Sequence, residues 1–297
     1  MILDPLQPGS GTIRSQHYLP ATGRNVLWGR LPCAADAAVL EVDSGAEVTI
    51  DTLSHEGILE DQGRDPRRFF GSHGVDGDGV LDDAIAIAAS DYPRDRASDG
   101  PHVVTGPIRI RGAKPGDLLK MTLIEALPRV PYGVISNRHG RGALPGEFPV
   151  GIETVSAFAA VDEDADGRRV GTLPLVAAGP RSVRFPLNPF LGIMGVAVSG
   201  DTRPHSVPPG PHGGNIDINL LTAGNSSTYP FRSRVPSRTS VTRTSPRATA
   251  KSRSPPWRPR FESQSASMYS ARRMPCSSSA SSSAPSPRPL SFSCQQV

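Results

Sequence analysis

The stretch Glu47-Val48-Thr49-Ile50-Asp51 carries the pattern that sets the fold class, because its side chains alternate between polar and apolar. A period of two residues is typical of a strand with one face against a core and the other in water. The preceding Asp43-Ser44-Gly45 has the composition of a turn. Residues 38–54 are therefore predicted to form a β-hairpin.

Further strands are predicted along the chain, and a single segment favours a helix. Residues 80–91 are rich in alanine and carry acids near their start, which stabilise the positive end of a helix dipole. The other predicted strands are residues 108–111, 119–123, 157–161, 170–176, 183–185 and 193–198. This spacing predicts a mainly β protein, a β-sandwich or barrel-like fold with a minor α component.

Charge divides the 297 residues into two unlike parts. Residues 230–297 contain 12 Lys and Arg but one acid, Glu262, so they carry a charge of +11 and leave −7 for residues 1–229. The basic part has no periodic pattern and cannot bury enough apolar surface to offset its chain entropy. We therefore predict a β-rich domain over residues 1–229 and a disordered Ser/Arg/Pro-rich tail over residues 230–297.

Composition excludes several classes of protein. The mean hydropathy is −0.28 and no apolar run reaches the length of a membrane span, so we predict no membrane partner. The three cysteines, Cys33, Cys276 and Cys294, lack paired spacing, which together with the absence of a secretory signal pattern predicts a cytoplasmic protein. No nucleophile elbow, phosphate-binding loop or dinucleotide-binding motif is found in the sequence.

One short motif resembles half of a calcium-binding loop. Residues 162–167 follow the order DEDADG, but the position that needs a bidentate glutamate is Leu173. We therefore predict a solvated hairpin turn here rather than a calcium site.

Polar residues with metal-binding chemistry occur in two glycine-containing segments. His55 and Glu56 lie next to each other, and both a ligand pair and a loop histidine bonded to the backbone fit that placement equally. In residues 208–217, prolines and glycines precede or flank His212, Asn215 and Asp217. These three side chains either converge from one loop or belong to a rigid connector with Asx turns.

Long segments of residues 18–224 resemble the acetamidase/formamidase family. They are residues 18–22 (YLPAT), 26–30 (VLWGR), 54–63 (SHEGILEDQG), 102–107 (HVVTGP), 129–149 (RVPYGVISNRHGRGALPGEFP) and 208–217 (PPGPHGGNID). The resemblance implies a β-rich, metal-dependent amidohydrolase, forming homo-oligomers, that converts formamide, acetamide or another short carboxamide to a carboxylate and ammonia. It implies a divalent cation, zinc and/or calcium, as cofactor and a small amide as substrate.

The resemblance also implies a set of site residues. We assign Glu56 and His139 as catalytic residues, and Asn137, Gly213 and Gly214 as substrate-binding residues. The predicted metal ligands are His55, His102, His212, Asn215 and Asp217.

The resemblance stops near Gly224, where the family continues into an acidic, glycine-rich motif of the type GDxHxxQGDGE. One permitted back-translation of residues 240–260, read two bases further on, gives GDPHFAQGDGEVALTALEAP. We therefore predict a slip of one or two bases near residues 224–227, which leaves the β-rich domain incomplete at its C-terminal side. The missing strands would leave unpaired sheet edges, so we expect the chain as written to be inactive or poorly soluble.

A different function class also fits the composition. A β-sandwich binding module with a basic tail would bind nucleic acid through phosphate contacts. The tail has few aromatic side chains for stacking on bases, and the change of reading frame accounts for its basic composition. We therefore predict no specific nucleic-acid partner.

Overall fold

The computed structural model describes residues 4–138, 144–151, 153–176, 179–231, 238–242 and 288–296, the last two segments as strand backbone only. The helices are α1 (Pro66–Gly71) and α2 (Asp82–Ala89). The strands are β1 (His17–Leu19), β2 (Val26–Trp28), β3 (Leu40–Val42), β4 (Glu47–Asp51), β5 (Val103–Ile110), β6 (Leu118–Pro128), β7 (Tyr132–Asn137), β8 (Val155–Glu163), β9 (Arg169–Pro174), β10 (Ser182–Pro186), β11 (Ile193–Val196), β12 (Gly213–Asn215), β13 (Ser226–Pro230), β14 (Arg238–Thr242) and β15 (Arg288–Gln296).

These strands form three sheets. The first sheet has the order β1-β4-β15-β6-β13. The second has the order β12-β11-β14-β5-β2, with β3 also paired to β5, and the third has the order β10-β9-β8-β7. No helix in the described part of the chain is long and apolar enough to span a bilayer.

The first and second sheets share one apolar core. Ile50 and Met121 of the first sheet pack in the same cluster as Ile108 and Met194 of the second, and all four are almost fully buried. Two sheets that bury their facing side chains in this way form a β-sandwich. The prediction of a mainly β, sandwich-like fold with a minor α component is confirmed.

A second core packs the helices beside the sandwich. Trp28 of β2, Phe70 of α1, Ile87 of α2 and Tyr132 of β7 belong to one buried cluster. Leu53 belongs to the same cluster, as does Ile58. These two anchors lie on either side of His55 and Glu56, so the core fixes the segment between them.

The predicted hairpin over residues 38–54 is wrong in its pairing. Both strands exist, but β3 pairs in parallel with β5 in the second sheet, whereas β4 lies in the first sheet between β1 and β15. Residues 48–51 are all buried, which fits a strand in the interior of a sheet better than one arm of an isolated hairpin.

The acidic turn at residues 162–167 is a hairpin turn, as predicted. It joins the antiparallel strands β8 and β9, and the Asp164 carboxylate accepts hydrogen bonds from the backbone N–H groups of Asp166 (2.9 Å) and Arg168 (2.8 Å). An Asx turn therefore accounts for the acid at its centre. The sequence analysis missed α1, which begins at Pro66 after Asp65 caps it.

The C-terminal region differs from the predicted disordered tail at two segments. β15 lies between β4 and β6 and is parallel to both, and β14 lies between β11 and β5 and is antiparallel to both. The strands on either side of β14 and of β15 direct backbone N–H and C=O groups toward the space between them. An extended backbone placed in that space forms hydrogen bonds with these groups whatever side chains it carries. β14 and β15 thus fill two gaps between strands, and the poor solubility of the chain stays a prediction.

Candidate functional site

The carboxylate of Glu56 is the centre of the candidate site. Glu56 follows β4 and is only 2% exposed. Its Oε2 atom accepts hydrogen bonds from the Ser136 hydroxyl (2.6 Å) and from the side-chain amide of Gln62 (2.5 Å). Its buried Oε1 atom has no hydrogen-bond donor among the described residues. One oxygen is therefore held in place by hydrogen bonds, and the other accepts none.

The turn after Glu56 requires a glycine. Gly57 has φ +83°, and a Cβ atom there would lie 2.8 Å from Cε2 of Phe70. The Gly57 N–H donates to Oε1 of Gln62 (2.7 Å), while the amide nitrogen of the same side chain donates to Glu56. Gln62 thus holds both the turn and the carboxylate that the turn presents.

Two positively charged or chargeable groups approach the available oxygen of Glu56. His55 Nε2 lies 3.4 Å from Oε1, and Arg138 NH1 lies 3.5 Å from the same atom. Burial raises the pKa of Glu56, but contacts with His55 and Ser136 and the charge of Arg138 outweigh burial and hold the pKa well below its usual value. Glu56 is therefore ionised at neutral pH although it is buried.

A second histidine lies beside the first. The rings of His55 and His102 meet edge to face, with their centroids 5.4 Å apart. His102 lies directly before β5, and its Nδ1 atom is 3.0 Å from the hydroxyl of the fully buried Ser206. A Cβ atom on Gly100 would lie 2.1 Å from that hydroxyl, so glycine leaves the space that Ser206 needs. The structure thus brings together His55, Glu56 and His102, and their roles stay predictions.

The segment with His212 is built around β11 and β12. His212 is half-buried, and its Nε2 atom has no hydrogen-bond partner in the described part of the chain. Burial lowers the pKa of His212, which favours the neutral ring. Asn215 donates to the carbonyl of Val207 (3.1 Å), the residue after Ser206, whereas Asp217 is exposed and has φ +48°. The Asp217 backbone N–H donates to the carbonyl of Gly192 (3.0 Å).

The two glycines predicted to bind substrate have a packing role. Gly213 has φ +89°, and a Cβ atom there would lie 2.4 Å from the carbonyl oxygen of Met194. Gly214 has φ +85°, and its Cβ atom would lie 2.9 Å from Leu31. The close approach of β12 to β11 therefore explains Gly213, and the contact with Leu31 explains Gly214; the role of both in substrate binding stays a prediction.

Of the predicted metal ligands, the imidazoles of His55 and His102 lie together as a pair. Within the described ranges, no group of three or more His, Cys, Asp and Glu side chains is arranged to hold a metal ion. His55 and His102 supply two nitrogen donors, and a catalytic zinc takes three protein ligands. His139, predicted to be catalytic, lies outside the described residues. The residues present thus fit part of a metal site, and metal binding stays a prediction.

A cleft of about 500 Å³ opens beside this network. Gln62 and Ser156 line it, together with Arg68, Phe69 and His73. The hydroxyl oxygens of Ser156 and Ser136 are 2.8 Å apart. Because Ser136 uses its proton to bond Glu56, it must accept the proton of Ser156. A polar path therefore joins the cleft to the buried carboxylate.

Three contributors to the site, Gln62, Ser136 and Arg138, were missed by the sequence analysis. Ser136 and Arg138 are two residues apart at the end of β7, and this spacing places both side chains on one face of a strand. The predicted substrate-binding Asn137 lies between them, and the same alternation turns it to the other face. Its Oδ1 atom is buried without a hydrogen-bond partner among the described residues.

Residues 86–205 match the model of the Acetamidase/Formamidase family, which confirms the predicted resemblance over that segment. The structure is similar to an acetamidase from Bacillus halodurans, with 18% identity and a TM-score of 0.51, over 76% of this chain and 60% of that chain. It is also similar to a predicted acetamidase/formamidase from Thermoanaerobacter tengcongensis, with 20% identity, a TM-score of 0.50 and the same two coverages.

These structural similarities show a shared fold. The chain spans 60% of the length of these two solved proteins. A search of curated proteins finds no match.

Proposed function

We propose that this protein belongs functionally with the amide hydrolases and converts short aliphatic carboxamides, such as formamide and acetamide, to a carboxylate and ammonia. The observation that carries this proposal is the buried Glu56 carboxylate, whose pKa is held below its usual value and whose Oε1 atom accepts no hydrogen bond among the described residues. The match of residues 86–205 to the Acetamidase/Formamidase family supports it, because His102 and Arg138 fall within that segment.

The residues at this site provide the proton transfers that amide hydrolysis needs. Water must lose a proton as it attacks the carbonyl carbon, and the departing nitrogen must gain one to leave as ammonia. Glu56 Oε1 can accept the first proton and return it to the nitrogen, because Ser136 and Gln62 keep the carboxylate in one orientation throughout. Arg138 lies beside the same oxygen and favours the ionised form before the first transfer.

We also propose that a divalent cation, zinc and/or calcium, takes part. His55 and His102 would hold it, and Ser206 orients the second ring by its contact with Nδ1. When bound, such a cation polarises the amide carbonyl and lowers the pKa of water. Further ligands would come from His212 and Asn215 of the segment before β13 and from the part of the family sequence that the tail replaces.

The proposal includes the change of reading frame near residues 224–227. It is supported by the abrupt rise in basic residues and by the motif GDPHFAQGDGE in the shifted frame of residues 240–260. Under this proposal the corrected C-terminal segment supplies a histidine and a glutamate to the site, and the chain as written has impaired activity.

Ammonia release tests the function. The protein translated from the corrected frame should release ammonia from acetamide and formamide, and removal of divalent cations with a chelator should abolish this release. The chain as written serves as the matched control and should release far less. If the corrected protein shows no release above the rate of its Glu56→Gln variant, amide hydrolysis is refuted. Sequencing codons 220–232 checks the slip independently.

A further inference from the structure

Two buried polar atoms, one on Arg138 and one on Glu56, make no hydrogen bond among the described residues. Among the described residues, Arg138 NH2 makes no hydrogen bond, and Glu56 Oε1 accepts none, its nearest donors being His55 Nε2 at 3.4 Å and Arg138 NH1 at 3.5 Å. The two side chains are in contact, since Arg138 NH1 lies 3.5 Å from Glu56 Oε1. Buried polar groups are nearly always hydrogen-bonded, so a donor and an acceptor without hydrogen bonds on two side chains in contact indicate a ligand.

Neighbouring contacts fix the direction of both groups. Arg138 Nε donates to the Asp61 carboxylate (2.6 Å), and the guanidinium is planar, so this bond sets where NH2 points. Ser136 and Gln62 hold the other oxygen of Glu56. The available donor and the available acceptor therefore form a preorganised pair that costs little entropy when a ligand binds.

A primary carboxamide has the matching pattern, because its carbonyl oxygen accepts a hydrogen bond and its adjacent nitrogen donates one. We propose that Arg138 and Glu56 form a carboxamide clamp: NH2 of Arg138 donates to the carbonyl oxygen of the substrate, and the amide nitrogen donates to Oε1 of Glu56. The clamp deepens the proposed function and rests on it for the identity of the substrate. It assigns Arg138 as a residue that determines specificity.

The clamp distinguishes substrate from product. A carboxylate has no N–H group for Glu56, and it would bring a negative charge close to the carboxylates of Glu56 and Asp61. An N,N-disubstituted amide keeps the carbonyl oxygen but also lacks the N–H group. With each of these ligands, Glu56 Oε1 stays buried without a hydrogen bond. This loss corresponds to binding about 10- to 100-fold weaker than that of a primary amide.

Ligand-observed NMR on the full 297-residue chain tests the clamp without requiring turnover. Isotope-labelled acetamide should bind, and unlabelled acetate or N,N-dimethylacetamide should displace it at least about 10-fold less well than unlabelled acetamide does. Displacement by acetate as effective as that by acetamide, or no binding of acetamide, would overturn the clamp. This comparison uses the unchanged chain, so a variant that fails to fold does not affect it.

A set of arginine variants locates the ligand. Arg138→Gln should weaken acetamide binding at least about 10-fold, and Arg138→Lys should recover part of it by restoring the charge without the planar donor pair. Arg168→Gln, on the exposed β8–β9 turn, is the matched control and should bind as the unchanged chain does. Unaltered binding by folded Arg138→Gln would remove this residue from the clamp. Hydrolysis is measured separately as ammonia release from the corrected protein, so the two proposals can fail independently.

Discussion

Replacing Arg129 with methionine should destabilise the protein strongly. The Arg129 side chain is fully buried, and its NH1 atom donates to Asp83 (2.6 Å) and to the carbonyl of Thr52 (3.2 Å). Its Nε atom donates to the carbonyl of Leu6 (3.0 Å), and NH2 lies 3.8 Å from the carboxylate of Asp51. The variant would therefore leave two buried carboxylates without their cation.

The magnitude follows from that loss. Removing one partner of a buried ion pair costs about 3–5 kcal/mol in the free energy of unfolding, because the remaining charge stays buried. For a domain of this size such a loss lowers the melting temperature by about 6–20 °C. Arg168→Met is the matched control, since its ion pair with Asp166 (3.2 Å) is largely exposed and should contribute less than about 1 kcal/mol.

The loss should also depend on pH. Burial raises the pKa values of Asp51 and Asp83, and the charge of Arg129 opposes that rise. Without Arg129 both pKa values rise further, so the folded state of the variant gains protons more readily than its unfolded state. The contribution of these two carboxyl groups to the stability of the variant is then greatest below the ordinary aspartate pKa of 3.8 and falls as pH rises through their folded-state pKa values.

Urea unfolding followed by circular dichroism at pH 5 and pH 8 measures both effects. The destabilisation by Arg129→Met should be larger at pH 8 than at pH 5, and adding Asp51→Asn and Asp83→Asn should recover part of the lost stability. A loss below about 1 kcal/mol, or a loss that is greater at pH 5, would refute the assignment of Arg129 as the compensating charge of this cluster.

Two further substitutions test local features. Gly57→Ala should lower the free energy of unfolding by about 2–4 kcal/mol, because it adds a methyl group against Phe70 to the strain of a left-handed backbone. Gly63→Ala is the control, with a similar φ of +87° and open space around it, and should lower it by only about 1–2 kcal/mol. Equal losses for the two variants in thermal unfolding would contradict the role of packing at Gly57. Burial raises the pKa of Asp36, but hydrogen bonds from Arg203 and from the Cys33 backbone outweigh burial and lower it. The stability difference between wild type and Arg203→Gln should therefore be present at pH 7, below about 1 kcal/mol because Arg203 is 44% exposed. It should shrink as pH falls below 3.8 and be lost once pH falls through the lowered folded-state pKa; a difference that grows between pH 5 and pH 3 in urea titrations would contradict it.

Local sequence patterns predicted where the strands lie in the chain better than which strands pair with each other. Alternation at residues 47–51 identified β4 as a strand, but residues 48–51 are all buried, so the predicted solvent-facing side of the strand is absent. The same signal contains nothing about which strand lies alongside, so the hairpin between β3 and β4 was predicted although they lie in different sheets. β14 and β15 were missed for a related reason: gaps between other strands, rather than their own side-chain patterns, place their backbones.

The sequence predicted those site residues that lie in segments resembling the family. His55, Glu56 and His102 were identified from the family resemblance, and the structure brings them together. The roles of Ser136 and Arg138 depend on the meeting of β7 with the turn after β4, a contact between residues about 80 positions apart in the chain. Single-sequence spacing cannot reveal that contact. It does place both side chains on one face of β7 once the strand is known.

The most direct test of the account is ammonia release by the Glu56→Gln variant of the protein translated from the corrected frame. The substitution keeps the shape of the side chain but removes the group that accepts and returns the proton. We expect a fall of at least about 100-fold in kcat with acetamide, while Glu163→Gln, on the exposed end of β8, retains the full rate. A Glu56→Gln variant that releases ammonia as fast as the unchanged protein would contradict the account.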